Sequence, residues 1–173
     1  MTEKSFLNNL ANNEYDILED FLELLKNTKI DYCVIGGLAV NAYVEPVVSL
    51  DLDIIVAVEQ IDILMNNCKD KFVIENFPHS INLKHPKSDL RIQIQTDVRY
   101  FSFTESAITS KVMGYEMKVA SLENVLQGKQ WAYLDAGRRK SKRQKDLADI
   151  SRLIEAYPYL IEKLPEEIKS RMI

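Results

Sequence analysis

The chain has 173 residues, a net charge of −4 and 46% apolar residues, the size and balance of an ordinary globular protein with a real core. The acidic total excludes a protein that holds nucleic acid by overall charge, so any phosphate site must be a local basic patch. Two cysteines, Cys33 and Cys68, make no disulfide framework and read as thiols of a reducing cytosol, with Cys33 inside an apolar run.

Residues 1–10 are polar and lack the apolar segment of a secretion signal. The longest mostly apolar stretch, 32–58, is interrupted by Glu45, Asp51 and Asp53, so no segment is expected to span a bilayer. A cytoplasmic protein without membrane association is the expectation.

Tyr15, Leu18, Phe21, Leu22 and Leu25 recur at helical spacing over 14–26, which predicts an amphipathic helix. Residues 31–35 form a short apolar run with β-branched members, a buried strand. It ends at Gly36-Gly37, and 38–43 reads as a short helix closed before Pro46. A strand over 50–58 and a helix over 60–68 follow. Residues 72–77 and 81–84 read as strands, and 90–95 alternates Leu, Arg, Ile, Gln, Ile, Gln, the period of a strand with one buried face. Residues 111–119 predict a hairpin turning at Gly114. Ser121 is a candidate N-cap for a helix over 122–134; helices over 142–156 and around Pro165 complete the chain.

Asp51 and Asp53 are two apart on a strand, so both side chains leave the same face, with Cα atoms about 6.5 Å apart. Carboxylates this close repel unless a cation or a proton relieves them. Mg2+ suits such a pair, because it takes one or two protein carboxylates and completes its shell with water and phosphate oxygens. Gly36-Gly37 lets the backbone approach a ligand closely, and N–H groups at a helix start favour phosphate. Taken singly, the acid pair also describes a solvated strand end, and the glycines an ordinary tight turn.

Together they form GGLAVNAYVEPVVSLDLDIIV, which resembles the signature of the DNA polymerase beta-like nucleotidyltransferase superfamily, with Leu38 where serine is usual. The stretch is most similar to small bacterial members, the minimal nucleotidyltransferases and those associated with toxin–antitoxin systems. The later segment SLENVLQGKQWAYLDAGRRKSKRQKDLADISRLIEAYP is similar to their helical C-terminal part, so the resemblance spans most of 31–158. It implies an α/β (α+β) fold: a mixed β-sheet nucleotidyltransferase core over 1–120 with flanking helices, and a helical C-terminal region over 121–173 packed on it as one compact unit. It also implies transfer of a nucleoside monophosphate from a nucleoside triphosphate to a hydroxyl acceptor (small molecule, protein or RNA), with Mg2+ or Mn2+ as cofactor. Asp51 and Asp53 would ligate the metal. Gly36 and Gly37 would meet phosphate oxygens through their backbone, and Lys129 and Arg91 would contact the nucleotide.

The family uses a third carboxylate from a strand beside the first pair. On 90–95 that position falls at Gln93, whose neutral amide can offer an oxygen to a metal but cannot act as an anionic base. Asp89 and Asp97 share its parity at the strand ends and are the candidate substitutes. The missing acid supports a second reading, a nucleotidyltransferase fold that binds nucleotide or a protein partner without chemistry.

Arg138 to Lys145 holds six cations in eight residues, either a solvated face or a phosphate contact. Such a run is usually a solvated face; its position at a helix start, where positive charge is unfavourable, is the one detail that speaks for a phosphate contact. Asp146 and Asp149 follow and can balance it. His79 and His85 have no partners at zinc spacing. Trp131, Tyr133 and the Tyr100-Phe101-Phe103 cluster read as core, although Tyr133 lies one helical turn beyond Lys129 and can flank a nucleotide.

Overall fold

The computed structural model describes residues 1–172. In chain order it contains α1 (Glu3–Leu10), α2 (Ile17–Asn27), β1 (Tyr32–Ile35), α3 (Gly36–Val40), β2 (Asp51–Val56), α4 (Ile61–Cys68), β3 (Val73–Phe77), β4 (Ser80–Lys84), β5 (Arg91–Gln95), β6 (Ile108–Val112), β7 (Tyr115–Val119), α5 (Leu122–Leu134), α6 (Lys140–Ala156) and α7 (Glu166–Lys169). The strands form a seven-stranded sheet in the order β3-β4-β5-β2-β1-β7-β6. β2 runs parallel to β5 and β1 parallel to β7; the other neighbours are antiparallel. This is the mixed sheet with flanking helices that the pattern predicts.

Two structured segments lie outside the predicted set. Helix α1 is opened by a capping box, in which the Thr2 side chain accepts from the Ser5 N–H and the Thr2 N–H donates to the Ser5 hydroxyl. A 3-10 segment, Val98–Ser106, begins at Asp97, whose carboxylate accepts from the Arg99 N–H. It buries Tyr100 and Phe103 against Trp131, with ring centroids 5.0 and 5.7 Å apart.

Strand β2 lies in the middle of the sheet, which explains its sequence. Leu52 and Ile54 are fully buried on one face, and Asp51 and Asp53 stand on the other. Strand β5 repeats the pattern, with Ile92 and Ile94 buried and Arg91, Gln93 and Gln95 on the polar side. In front of the acid face, α3, α5 and α6 pack on one another. Arg152 of α6 ties them together: its Nη1 donates to Asp149 at 2.9 Å and its Nη2 to Asn41 Oδ1, just past α3, at 3.3 Å. The Ser121 hydroxyl caps α5 by accepting from the Asn124 N–H. Helix α6 starts at Lys140 with no side-chain cap and no acid in its first turn. Among the described residues no helix is long and apolar enough to cross a membrane.

Candidate active site

Chain reversal at the end of β1 creates the first feature of the site. Gly36 adopts φ +71, a left-handed conformation that side chains with a Cβ resist. Its bare Cα lies against the Asp53 carboxylate, so that a Cβ there would collide with Asp53 Oδ2. At Gly37 a Cβ would make only ordinary contact with Ser49, its nearest neighbour at 3.5 Å. The two glycines therefore differ: Gly36 is required by the acid beside it and lines the adjoining cavity, whereas Gly37 stands outside the lining.

That cavity has a volume of about 310 Å³ and lies between the polar sheet face and α5 and α6. Asp51 and Asp53 both line it, with Arg91, Gln93 and Lys129. Strand register puts Asp53 directly beside Gln93 and Asp51 beside Arg91, so the neutral amide occupies the place beside the pair. Asp89 and Asp97 do not approach. Asp89 accepts from the Asn12 side chain, and Asp97 is held by Arg99 at 2.8 Å. Among the described residues no cluster of three or more His, Cys, Asp or Glu side chains forms a metal cage.

The two acids differ in their surroundings. Asp51 Oδ1 accepts from Arg91 Nε at 2.7 Å, and Lys142 Nζ stands 3.7 Å from its Oδ2. Among the described residues Asp53 has no such direct partner. Burial and the negative charge of Asp51 push its carboxyl up to about 6, against the pull of Lys129, Arg138 and Lys142. A divalent cation would supply the missing charge at Asp53, and two carboxylates with open space beside them match the donor set that Mg2+ accepts.

Lys129 is placed differently from a free phosphate ligand. It is nearly buried, with Nζ 3.0 Å from Asp146 Oδ1 and 2.7 Å from Asp149 Oδ2. Burial by itself would lower its pKa, but Asp149 and Asp146 outweigh that and hold it above the ordinary lysine value. Asp146 also accepts from Arg138 Nε at 2.7 Å. The basic run thus divides. Arg138 and Lys142 turn to the cavity, Arg139, Lys140 and Lys145 face solvent, and Arg143 donates to the Tyr133 carbonyl while covering its ring. Tyr133 lies outside the cavity lining, and Tyr100 is the aromatic residue that reaches it. The approach of Tyr100 uses Gly128, the residue before Lys129 on α5, because a Cβ there would press on its ring at 3.3 Å.

No protein-family model and no curated protein matches the sequence. Solved structures do match. ANT(2'')-Ia in complex with adenylyl-2''-tobramycin aligns with a TM-score of 0.67 at 13% identity, covering 91% of this chain and 97% of that one. The lincosamide antibiotic adenylyltransferase LnuA with lincomycin bound aligns with a TM-score of 0.57 at 16% identity, covering 82% and 99%. An antigenic nucleotidyltransferase-like protein from Paracoccidioides brasiliensis aligns with a TM-score of 0.54 at 17% identity, covering 99% and 94%. The chain has the nucleotidyltransferase fold. At these identities the likeness speaks for the fold, and the chemistry has to be argued from the site.

Proposed function

We propose that this nucleotidyltransferase-fold protein transfers a nucleoside monophosphate from a nucleoside triphosphate to an acceptor hydroxyl. The observation that carries the reading is the pairing of Asp51 and Asp53 on one face of β2, with the bare Cα of Gly36 against Asp53 and a cation-lined cavity in front. Mg2+ or Mn2+ held by Asp51 and Asp53 would neutralise charge on the attacking and leaving oxygens. The residues of the chain do the rest. Arg138 and Lys142 attract the triphosphate, and Gly36 leaves its backbone open to a phosphate oxygen. Lys129 is fixed by Asp146 and Asp149, which offset its charge, so the pull on the triphosphate falls to Arg138 and Lys142. The acceptor oxygen bonds to the α-phosphorus, the bond to the bridging oxygen breaks, and pyrophosphate leaves. Gln93 Oε1 can accept a hydrogen bond from the acceptor hydroxyl and orient it, but cannot take its proton, which passes to water.

The test is incubation with each labelled triphosphate, Mg2+ or Mn2+ and a panel of hydroxyl acceptors. Label transfer is expected, and transfer that survives Asp51→Asn/Asp53→Asn sinks the mechanism. A specific observation favours a second reading: Gln93 stands beside Asp53 in the register, so the chain can bind nucleotide or a protein partner, as a toxin–antitoxin component would, without turnover. Calorimetry separates the two, since binding without transfer selects the second.

A further inference from the structure

The transfer reading leaves open the chemistry of the acceptor, and the inference here rests on that reading. The acid pair stands between two differently furnished halves of the cavity. On the β1 side, where α5 and α6 pack against α3, are Gly36 and, from the α5–α6 region, Lys129, Arg138 and Lys142, with Asp146 beside Lys129 and Arg138. On the other side the sheet continues through β5 to β4 in two rows set by register. One row is Asp51, Arg91, Lys84; the next is Asp53, Gln93, Asn82. All six line the cavity, as residues in register share a face. In-line displacement at phosphorus puts the attacking and leaving oxygens on opposite sides. The half with bare backbone, Arg138 and Lys142 suits the triphosphate, which leaves the β5–β4 half for the acceptor.

That half has a definite character. Lys84 and Arg91 are directly opposite each other on antiparallel strands, and like charges so placed repel unless an anion lies between them. Arg91 is shared with Asp51, and Lys84 has only an exposed pair with Glu75 at 2.9 Å, a weak hold. In the second row the Asn82 side-chain Oδ1 is buried and has no hydrogen-bond partner among the described residues, an acceptor atom that a donor on a ligand would satisfy. No acidic residue of β4 or β5 lines the cavity.

We propose that the acceptor is a hydroxyl compound carrying an anionic group, phosphate or carboxylate, which Lys84 and Arg91 hold while Asn82 and Gln93 take its donor groups. A polyamine is the wrong charge for this surface. The test saturates the full chain with Mg2+ and a triphosphate analogue bridged by methylene between the α and β phosphorus atoms. Inorganic phosphate, succinate and spermidine are then titrated by calorimetry. Phosphate or succinate should bind, and whichever binds identifies the anionic group. Its affinity should fall on the order of tenfold in Lys84→Ala, with Lys84→Gln as a companion that keeps the stem and the fold. Spermidine binding, no anion binding to the analogue-loaded protein, or unchanged affinity in both Lys84 variants overturns the proposal and leaves the transfer reading intact. Failure of the analogue itself to bind defeats the transfer reading and this inference with it.

Discussion

Asp53 occupies the space that a side chain at position 36 would need, so the carboxylate and the left-handed turn of Gly36 depend on each other. Gly36→Ala should lower stability by about 1–2 kcal/mol from the left-handed backbone alone, and should also push Asp53 out of place. Gly37→Ala meets only ordinary contacts and should melt near the parent. Thermal denaturation of both variants, with metal titrations, checks the contrast; equal losses would mean that the glycines share one role.

The raised pKa of Asp53 has a thermodynamic sign. In the folded chain its carboxyl holds a proton up to about 6, against an ordinary carboxyl value of 3.8. The folded state therefore binds the proton more tightly, and stability falls as pH rises from near 4 through 6, by up to about 3 kcal/mol. Asp53→Asn should be more stable than the parent at pH 8 and lose that advantage below pH 4. Mg2+ should raise the melting temperature of the parent at pH 8 and not that of the variant. Melting curves at four pH values with and without Mg2+ decide it, and a destabilised Asn variant at pH 8 contradicts the assignment.

Removing Lys129 takes the shared cation away from two buried acids and leaves each with one arginine, Arg138 for Asp146 and Arg152 for Asp149. Lys129→Ala should cost about 3–5 kcal/mol, the usual penalty for breaking a buried pair from one side. Lys129→Ala with Asp146→Asn and Asp149→Asn should recover much of it. Urea denaturation of the single and triple variants measures the difference.

Gln93 is the nearest cross-strand neighbour of Asp53 on β5. Gln93→Asp should raise the transfer rate by about 10²-fold, the lower end of what a general base contributes, with the optimum at a higher pH because a third acid pushes Asp53 further up. Steady-state rates across pH test this. An unchanged rate with tighter metal binding would assign the position to the metal and not to proton transfer.

Helix α6 begins at Lys140 behind Arg139 with no side-chain cap. Arg139→Asp should add about 1 kcal/mol through capping and the helix dipole, and it should weaken triphosphate binding by placing negative charge next to Arg138, which lines the cavity. Melting temperature and nucleotide affinity moving in opposite directions would confirm that the basic start of α6 costs stability.

The central sheet was legible because its strands carry clear periodicities. Alternation over 90–95 sets the parity of β5, and Asp51-Leu52-Asp53-Ile54 sets that of β2; the family resemblance puts the third-acid position at Gln93, and the register has Gln93 beside Asp53. The ion-pair network was not legible. Lys129 and Asp146 lie 17 residues apart on different helices, and helical spacing says which face each occupies, not how two faces meet. The division of the basic run was hidden for the same reason: only the angle between α5 and α6 turns Arg138 and Lys142 inward. Helix α1 has few apolar residues, and its signal is Thr2 with Ser5, a capping box with serine in place of the usual Glu or Gln. Tyr100 reaching the cavity depends on the gap at Gly128, a glycine inside a helix that marks close approach by another group.

The lysine of α5 and the two aspartates of α6 form a lock whose halves come from different stretches of chain. Anyone grafting parts of this protein onto a related scaffold must therefore transplant both helices at once. A hybrid that keeps the lysine of α5 but takes α6 from a parent without the two aspartates would enclose a charge without its mate and lose stability.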